Sequence, residues 1–99
     1  MKTKTFIINK IEINRKTIDT VKVSYHVYES HPDITDDIIL QLVSKLDSGA
    51  FEPDAVKPPY SYYVTLIFLN KKQYRLVWLL EDHNFYVGIV NSYRDNRKN

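Results

Sequence analysis

Ninety-nine residues, 43% apolar and 26% charged, suit one globular domain with one hydrophobic core and leave no room for a second. A formal charge of +2 permits nucleic-acid binding without demanding it, because a strong basic stripe is the usual footprint of that function. With no cysteine, disulfides, thiolate catalysis and cysteine-ligated zinc are excluded, and no apolar run approaches the roughly 18 residues of a spanning helix.

The chain opens on Met1-Lys2-Thr3-Lys4-Thr5-Phe6-Ile7-Ile8, which lacks the apolar stretch and small-residue cleavage site of a signal peptide, so the expected location is cytoplasmic. Phe6 to Ile13 is isoleucine-rich and suits a strand. Asn14-Arg15-Lys16-Thr17 breaks the pattern. From Val21 the alternation is clean, with Val21, Val23, Tyr25 and Val27 on one face and Lys22, Ser24, His26 and Tyr28 on the other. These two runs predict an N-terminal hairpin, stopped by Pro32.

Asp33 and Thr35 are both candidate N-caps for a helix whose first turn carries Asp36 and Asp37. Ile38, Leu42 and Leu46, with Ile39 and Val43 beside them, form one wide apolar stripe, and Gly49 suits the left-handed position after the helix end. Phe51 to Pro59 contains three prolines and reads as a loop. Three strands follow, Tyr60 to Leu69, Gln73 to Leu80 and Phe85 to Tyr93, joined by Asn70-Lys71-Lys72 and Glu81-Asp82-His83-Asn84. Such short polar turns predict an antiparallel meander, whose middle strand is apolar on both faces apart from Arg75 and so expected to be central and covered. The tail, residues 95–99, is expected to fray. The predicted fold is α+β: an N-terminal hairpin and a C-terminal three-strand meander packed on one main helix, as a single domain over residues 1–99.

No Walker loop, Gly-x-Ser-x-Gly or paired-carboxylate signature is present, and His26, His31 and His83 lack metal-ligand spacing, so no metal and no cofactor is expected. The richest stretch is Tyr25 to Thr35, where two histidines flank a glutamate just before a helix N-terminus. Imidazoles can share the acid and base roles when a ribose 2′-hydroxyl attacks its own phosphodiester. Equally, His26 can sit on a solvated strand face and His31 merely lead into a cap. Arg75 and Arg94 each read either as snorkelling side chains or as guanidinium forks for a phosphate. Asn91 and Ser92 close the last strand or contact substrate. Tyr60, Tyr62 and Tyr63 occupy neighbouring strand positions, so at least one is displayed, to stack a base or to meet a protein.

The run His26-Val27-Tyr28-Glu29-Ser30-His31-Pro32-Asp33-Ile34-Thr35 resembles the opening of small barnase–EndoU–colicin–RelE-like ribonuclease toxins. Tyr74 to Trp78 and Val87 to Arg94 are similar to the closing two strands of that family, and the resemblance covers roughly residues 20–95. It implies a metal-independent endoribonuclease, the toxin of a toxin–antitoxin pair. His26 or His31 would act as base or acid, and Arg75 and Arg94 would hold the phosphate. Ser92 or Tyr93 would position the scissile group. Apart from the resemblance, Tyr63 as a base-stacking ring and Asn91 as a polar group at the strand end are read as further RNA contacts. The implied partners are RNA and a cognate antitoxin or immunity protein, with no membrane. Ser30 stands where the family often has arginine, and the predicted hairpin stands where many relatives open with helix. The modest charge and the tyrosine-rich strand also suit a non-catalytic protein-binding domain, such as an antitoxin or immunity protein.

Overall fold

The computed structural model describes residues 2–96. Its elements run β1 (Thr3–Ile13), β2 (Lys16–Ser24), α1 (Tyr25–Ser30), α2 (Asp36–Ser44), β3 (Ala55–Lys57), β4 (Tyr60–Leu69), β5 (Lys72–Glu81) and β6 (Tyr86–Arg94). All six strands belong to one sheet, in the order β1-β2-β6-β5-β4-β3. The expected hairpin and meander are both present, and they are fused. β2 pairs parallel with β6 through Thr20–Val23 against Tyr86–Ile89, while the other pairings between these strands are antiparallel. The sheet is therefore mixed, and two helices rather than one accompany it.

The β1–β2 and β4–β5 turns are two-residue connections in which both residues take positive φ, Asn14 and Arg15 at 51° and 65° and Asn70 and Lys71 at 52° and 65°. That is the primed turn whose twist matches antiparallel strands, and asparagine supplies the left-handed residue where glycine is scarce. Lys16 and Thr17, expected in the first turn, already belong to β2.

The alternation from Val21 does not continue as strand through Tyr28. β2 stops at Ser24, and Tyr25 to Ser30 form α1, so the strand faces predicted for Tyr25, His26, Val27 and Tyr28 are corrected. Ser24 is the switch. Its extended backbone (φ −63°, ψ 132°) and its hydroxyl, which accepts from the His26 N–H, make it an N-cap. Val27 is buried either way, because one inward position in so short a stretch satisfies a period of 2 or of 3.6. Of the two candidate caps for α2, Thr35 performs the role, its Oγ1 accepting from the Ile38 N–H at 3.2 Å. The helix ends at Ser44, and Ser48 rather than Gly49 takes the left-handed conformation (φ 65°). Gly49 is needed for space instead, since a Cβ there would strike the Phe51 ring. The proline-rich loop also contributes β3, paired with Tyr60 to Tyr62 of β4.

The helices cover one face of the sheet. Ile39, Leu42, Val43 and Leu46 join Val21 and Val23 of β2, Leu76 and Trp78 of β5 and Val87 and Ile89 of β6 in a single core. Trp78 is fully buried at its centre. The Tyr63 ring stacks on it (4.1 Å between centroids, 13° between planes), the Phe51 ring meets it edge-on at 5.2 Å, and its Nε1 donates to Thr65 Oγ1 at 3.0 Å. β5 is central as expected but covered on one side only. Tyr74, Leu76, Trp78 and Leu80 are buried, while Arg75, Val77 and Leu79 remain half-exposed. The other expected exception concerns the tail. Asp95 does not fray: its N–H donates to the Gln73 carbonyl at 2.9 Å and its side chain is buried. The remainder of that expectation, residues 97–99, lies outside the described residues.

Two outcomes follow from this packing. Trp78→Ala should cost about 3–5 kcal/mol in urea unfolding, because it empties the site that Tyr63 and Phe51 enclose. The Lys4 ammonium pairs with the Asp36 carboxylate and ties β1 to the first turn of α2, holding Asp36 below the usual carboxylate range. The depressed folded-state value means this pair stabilises the fold above the ordinary aspartate value, near pH 4, and is lost as pH falls through the lowered one. Lys4→Met should therefore lower stability at pH 7 slightly, both side chains being partly exposed, and flatten the acid limb of the stability profile below about pH 4.

Candidate functional site

Because β2 runs parallel to β6, the chain leaving β2 emerges at the end of the sheet where β6 finishes. This brings α1 against the last residues of β6. His31, the C-cap of α1, stacks on Tyr93 of β6 with ring centroids 5.2 Å apart and 27° between planes. Tyr93 lies opposite Arg75 in the β5–β6 ladder. An imidazole stacked on a phenol thus lies across the β5–β6 ladder from a guanidinium, at one end of the sheet.

Asp95, two residues beyond Tyr93, fixes the guanidinium. A single carboxylate oxygen, Oδ2, accepts from Arg75 Nε at 3.0 Å and from Nη2 at 2.7 Å. The Asp95 side chain is 3% exposed and that of Arg75 23%, so the pair is largely dry and firmly held. Two of the five guanidinium N–H groups are engaged in this way, leaving the outer edge with donor capacity for an anion. Sequence reasoning missed Asp95, because a polar residue after the last strand carries no periodic signal. Its only clue is its position two residues past Tyr93, in phase with the strand.

The other expected residues lie apart from this cluster. His26 is exposed on α1, with Ser30 Oγ 3.2 Å from its Nε2, and lines a shallow hollow with Lys2, Ser24, Tyr25, Tyr28 and Glu29. The hollow includes neither His31 nor either arginine. Arg94 is exposed, its Nη2 donating to Asn96 Oδ1 at 3.2 Å. A bulge between Val77 and Trp78 in the β5–β6 register puts Asn91 opposite Val77 and turns Ser92 inward opposite Leu76. Ser92 is consequently fully buried, and its hydroxyl has no hydrogen-bond partner. Asn91 Oδ1 is occupied by the Ser92 N–H at 2.9 Å. Tyr63, expected among the RNA contacts, is the buried ring stacked on Trp78, with its hydroxyl accepting from Asn14 Nδ2 at 3.1 Å. The displayed tyrosines are its neighbours Tyr60 and Tyr62, both half-exposed.

Those two tyrosines lie on the uncovered face of the sheet. With Lys22, Leu79, Tyr86 and Gly88 they line a hollow of about 340 Å³. Lys22 Nζ sits 4.5 Å from the centre of the Tyr86 ring, and burial together with a hydrogen bond to Glu81 pushes the Tyr86 phenol upward. At the α1–α2 junction, burial also raises the Tyr28 phenol, helped by the neighbouring Asp36 carboxylate. Among the described residues, no group of three or more histidine, aspartate or glutamate side chains is placed to hold a metal ion. No helix among them is long and apolar enough to cross a membrane.

No protein-family model matches the chain, and no curated protein or solved structure matches it either.

Asp95→Ala should lower stability by on the order of 2 kcal/mol or more in chemical denaturation, since it strands a largely buried guanidinium. A frayed tail would give no change.

Proposed function

We propose that the chain is a metal-independent endoribonuclease, of the kind that serves as the toxin of a toxin–antitoxin pair, with His31, Tyr93 and Arg75 as its working cluster. The supporting observation is the stacking of His31 on Tyr93 directly beside the Asp95-held Arg75. In this reading His31 takes the proton of the ribose 2′-hydroxyl as O2′ bonds to phosphorus. The bond from phosphorus to O5′ breaks, O5′ leaves with a proton from the Tyr93 phenol, and a 2′,3′-cyclic phosphate remains. Arg75 supplies charge to the crowded phosphorane, and Asp95 aims it. His26 and Arg94 stand outside this set, because their side chains hydrogen-bond elsewhere, His26 with Ser30 and Arg94 with Asn96. The buried Ser92 and Tyr63 are structural.

A second reading has its own support. Val64, Leu66 and Phe68 of β4 are exposed on the uncovered sheet face, an apolar display that suits a non-catalytic protein-binding domain such as an antitoxin or immunity protein.

Incubating purified protein with a structured RNA in excess EDTA separates the two. The nuclease reading expects fragments ending in cyclic phosphate, a loss of about 10²-fold or more for His31→Ala, and little change for His26→Ala. Expression of the wild-type chain, but not of His31→Ala, should arrest growth. Intact RNA leaves the binding-domain reading in its place, and a His31→Ala variant that cuts like the wild type overturns the proposed cluster.

A further inference from the structure

The two edges of the sheet differ in how they are protected. At one edge, β1 has its register against β2 broken between Ile7 and Ile11 and carries Lys10 exposed beside the break, both of which discourage a further strand. At the other edge, β3 pairs only with Tyr60, Ser61 and Tyr62. Just past it, Asp54 accepts from the Val64 N–H through Oδ2 at 2.8 Å, while its own N–H donates to the Tyr62 carbonyl at 2.8 Å. Beyond Val64 no strand lies alongside β4 among the described residues.

The phase of the ladder says which groups are left over. Backbone groups in a strand point alternately to either side, and those of Tyr62 and Val64 point away from β5. Leu66 and Phe68 share that phase, so their N–H and C=O groups form the free edge. Their side chains stand on the uncovered face, 36% and 70% exposed. The β4–β5 register runs unbroken from Tyr60 to Leu69, and the stretch from Val64 to Leu69 has no charge, proline or bulge to discourage pairing. A bare, straight, apolar edge of this kind is a template for another strand.

We propose that the β4 edge is a self-association surface that takes a second copy of this chain. Two copies meet antiparallel about a twofold axis beside Ile67, with Leu66 of one hydrogen-bonded opposite Phe68 of the other, so that the two sheets become one. The edge is self-complementary in this register, as an isologous contact requires. Both cross-pairs set leucine against phenylalanine on the uncovered face. Charge favours the same arrangement, because the antiparallel approach carries Lys71, in the turn after β4, toward the partner copy's Asp54 at the far end of the edge. The contact is short, so the association is weak, with dissociation constants on the order of micromolar or above.

Sedimentation equilibrium of the full chain over a wide concentration series tests this. The weight-average mass should rise from 11.7 kDa toward twice that value. Leu66→Pro deletes an outward N–H without touching the β5 ladder, and Phe68→Lys puts a charge where the apolar pair forms. Each should weaken association about tenfold or more while circular dichroism confirms the fold. In the dimer, amide exchange at Leu66 and Phe68 should slow as protein concentration rises. A mass that stays at 11.7 kDa at millimolar protein overturns the proposal, even if a strand from some other protein binds this edge. So does unimpaired association of Phe68→Lys together with concentration-independent exchange at the two amides.

Discussion

The parallel pairing of β2 with β6 is the constraint from which the rest of the architecture follows. The β1–β2 hairpin and the β4–β5–β6 meander are each local units joined by tight turns. Alone, each would leave a hydrophobic face and an open edge. Joining them edge to edge places Val21 and Val23 beside Val87 and Ile89, all buried, and makes one core where two incomplete ones would stand. Since β2 and β6 point the same way, the connection must travel back along the sheet before β4 can begin. Parallel neighbours need such a long crossover, and α1 and α2 are part of it. α2 lies on a single face.

That one-sided crossing accounts for the inside and outside of the molecule. The helix-bearing face holds Trp78 with the Tyr63 and Phe51 rings around it, while the opposite face keeps Tyr60, Tyr62, Val64, Leu66 and Phe68 in contact with solvent. Tyr62 and Tyr63 are adjacent and chemically identical, yet one is displayed and the other is core. The period of the strand separates them, and only the side on which the helices lie decides which is which. Gly88 belongs to the same account. A Cβ there would come within 2.8 Å of Leu79 Cδ1, so its absence lets Leu79 lie down over β6 on the open face.

The same pairing assembles the candidate site. Parallel strands end at the same side of a sheet, so the residue that closes α1 arrives where β6 finishes, and His31 meets Tyr93 although 62 positions separate them in the chain. Arg75 enters from β5 by ladder register, and Asp95 enters because the chain continues in strand phase beyond Arg94. The buried Asp95–Arg75 pair serves position more than net stability: desolvating two charges offsets much of their attraction, whereas the geometry of the fork is held fixed.

Local signals carried much of this. Alternation and turn residues are sufficient for both hairpins, because primed turns and two-residue periodicity involve only neighbours in the chain. The stripe of Ile38, Ile39, Leu42, Val43 and Leu46, with acidic residues in the first turn, is sufficient for α2. Where two periods compete over a few residues, sequence by itself decides little. Tyr25 to Tyr28 alternate as a strand would, and the burial of Val27 suits either period, but the Ser24 hydroxyl caps a helix there. Gly49 was legible as a special position, though for the wrong reason: the space needed by Phe51 appears only after folding. Tyr63 and Ser92 could be placed on alternating faces, but which face is buried depended on the crossover and on the bulge beside Val77. The burial of Asp95 and the meeting of His31 with Tyr93 come from pairing strands far apart in the chain. Sequence determined the elements because their hydrogen bonds and periodicities are local; tertiary structure decided the site because a contact between distant residues exists only once the sheet order is set.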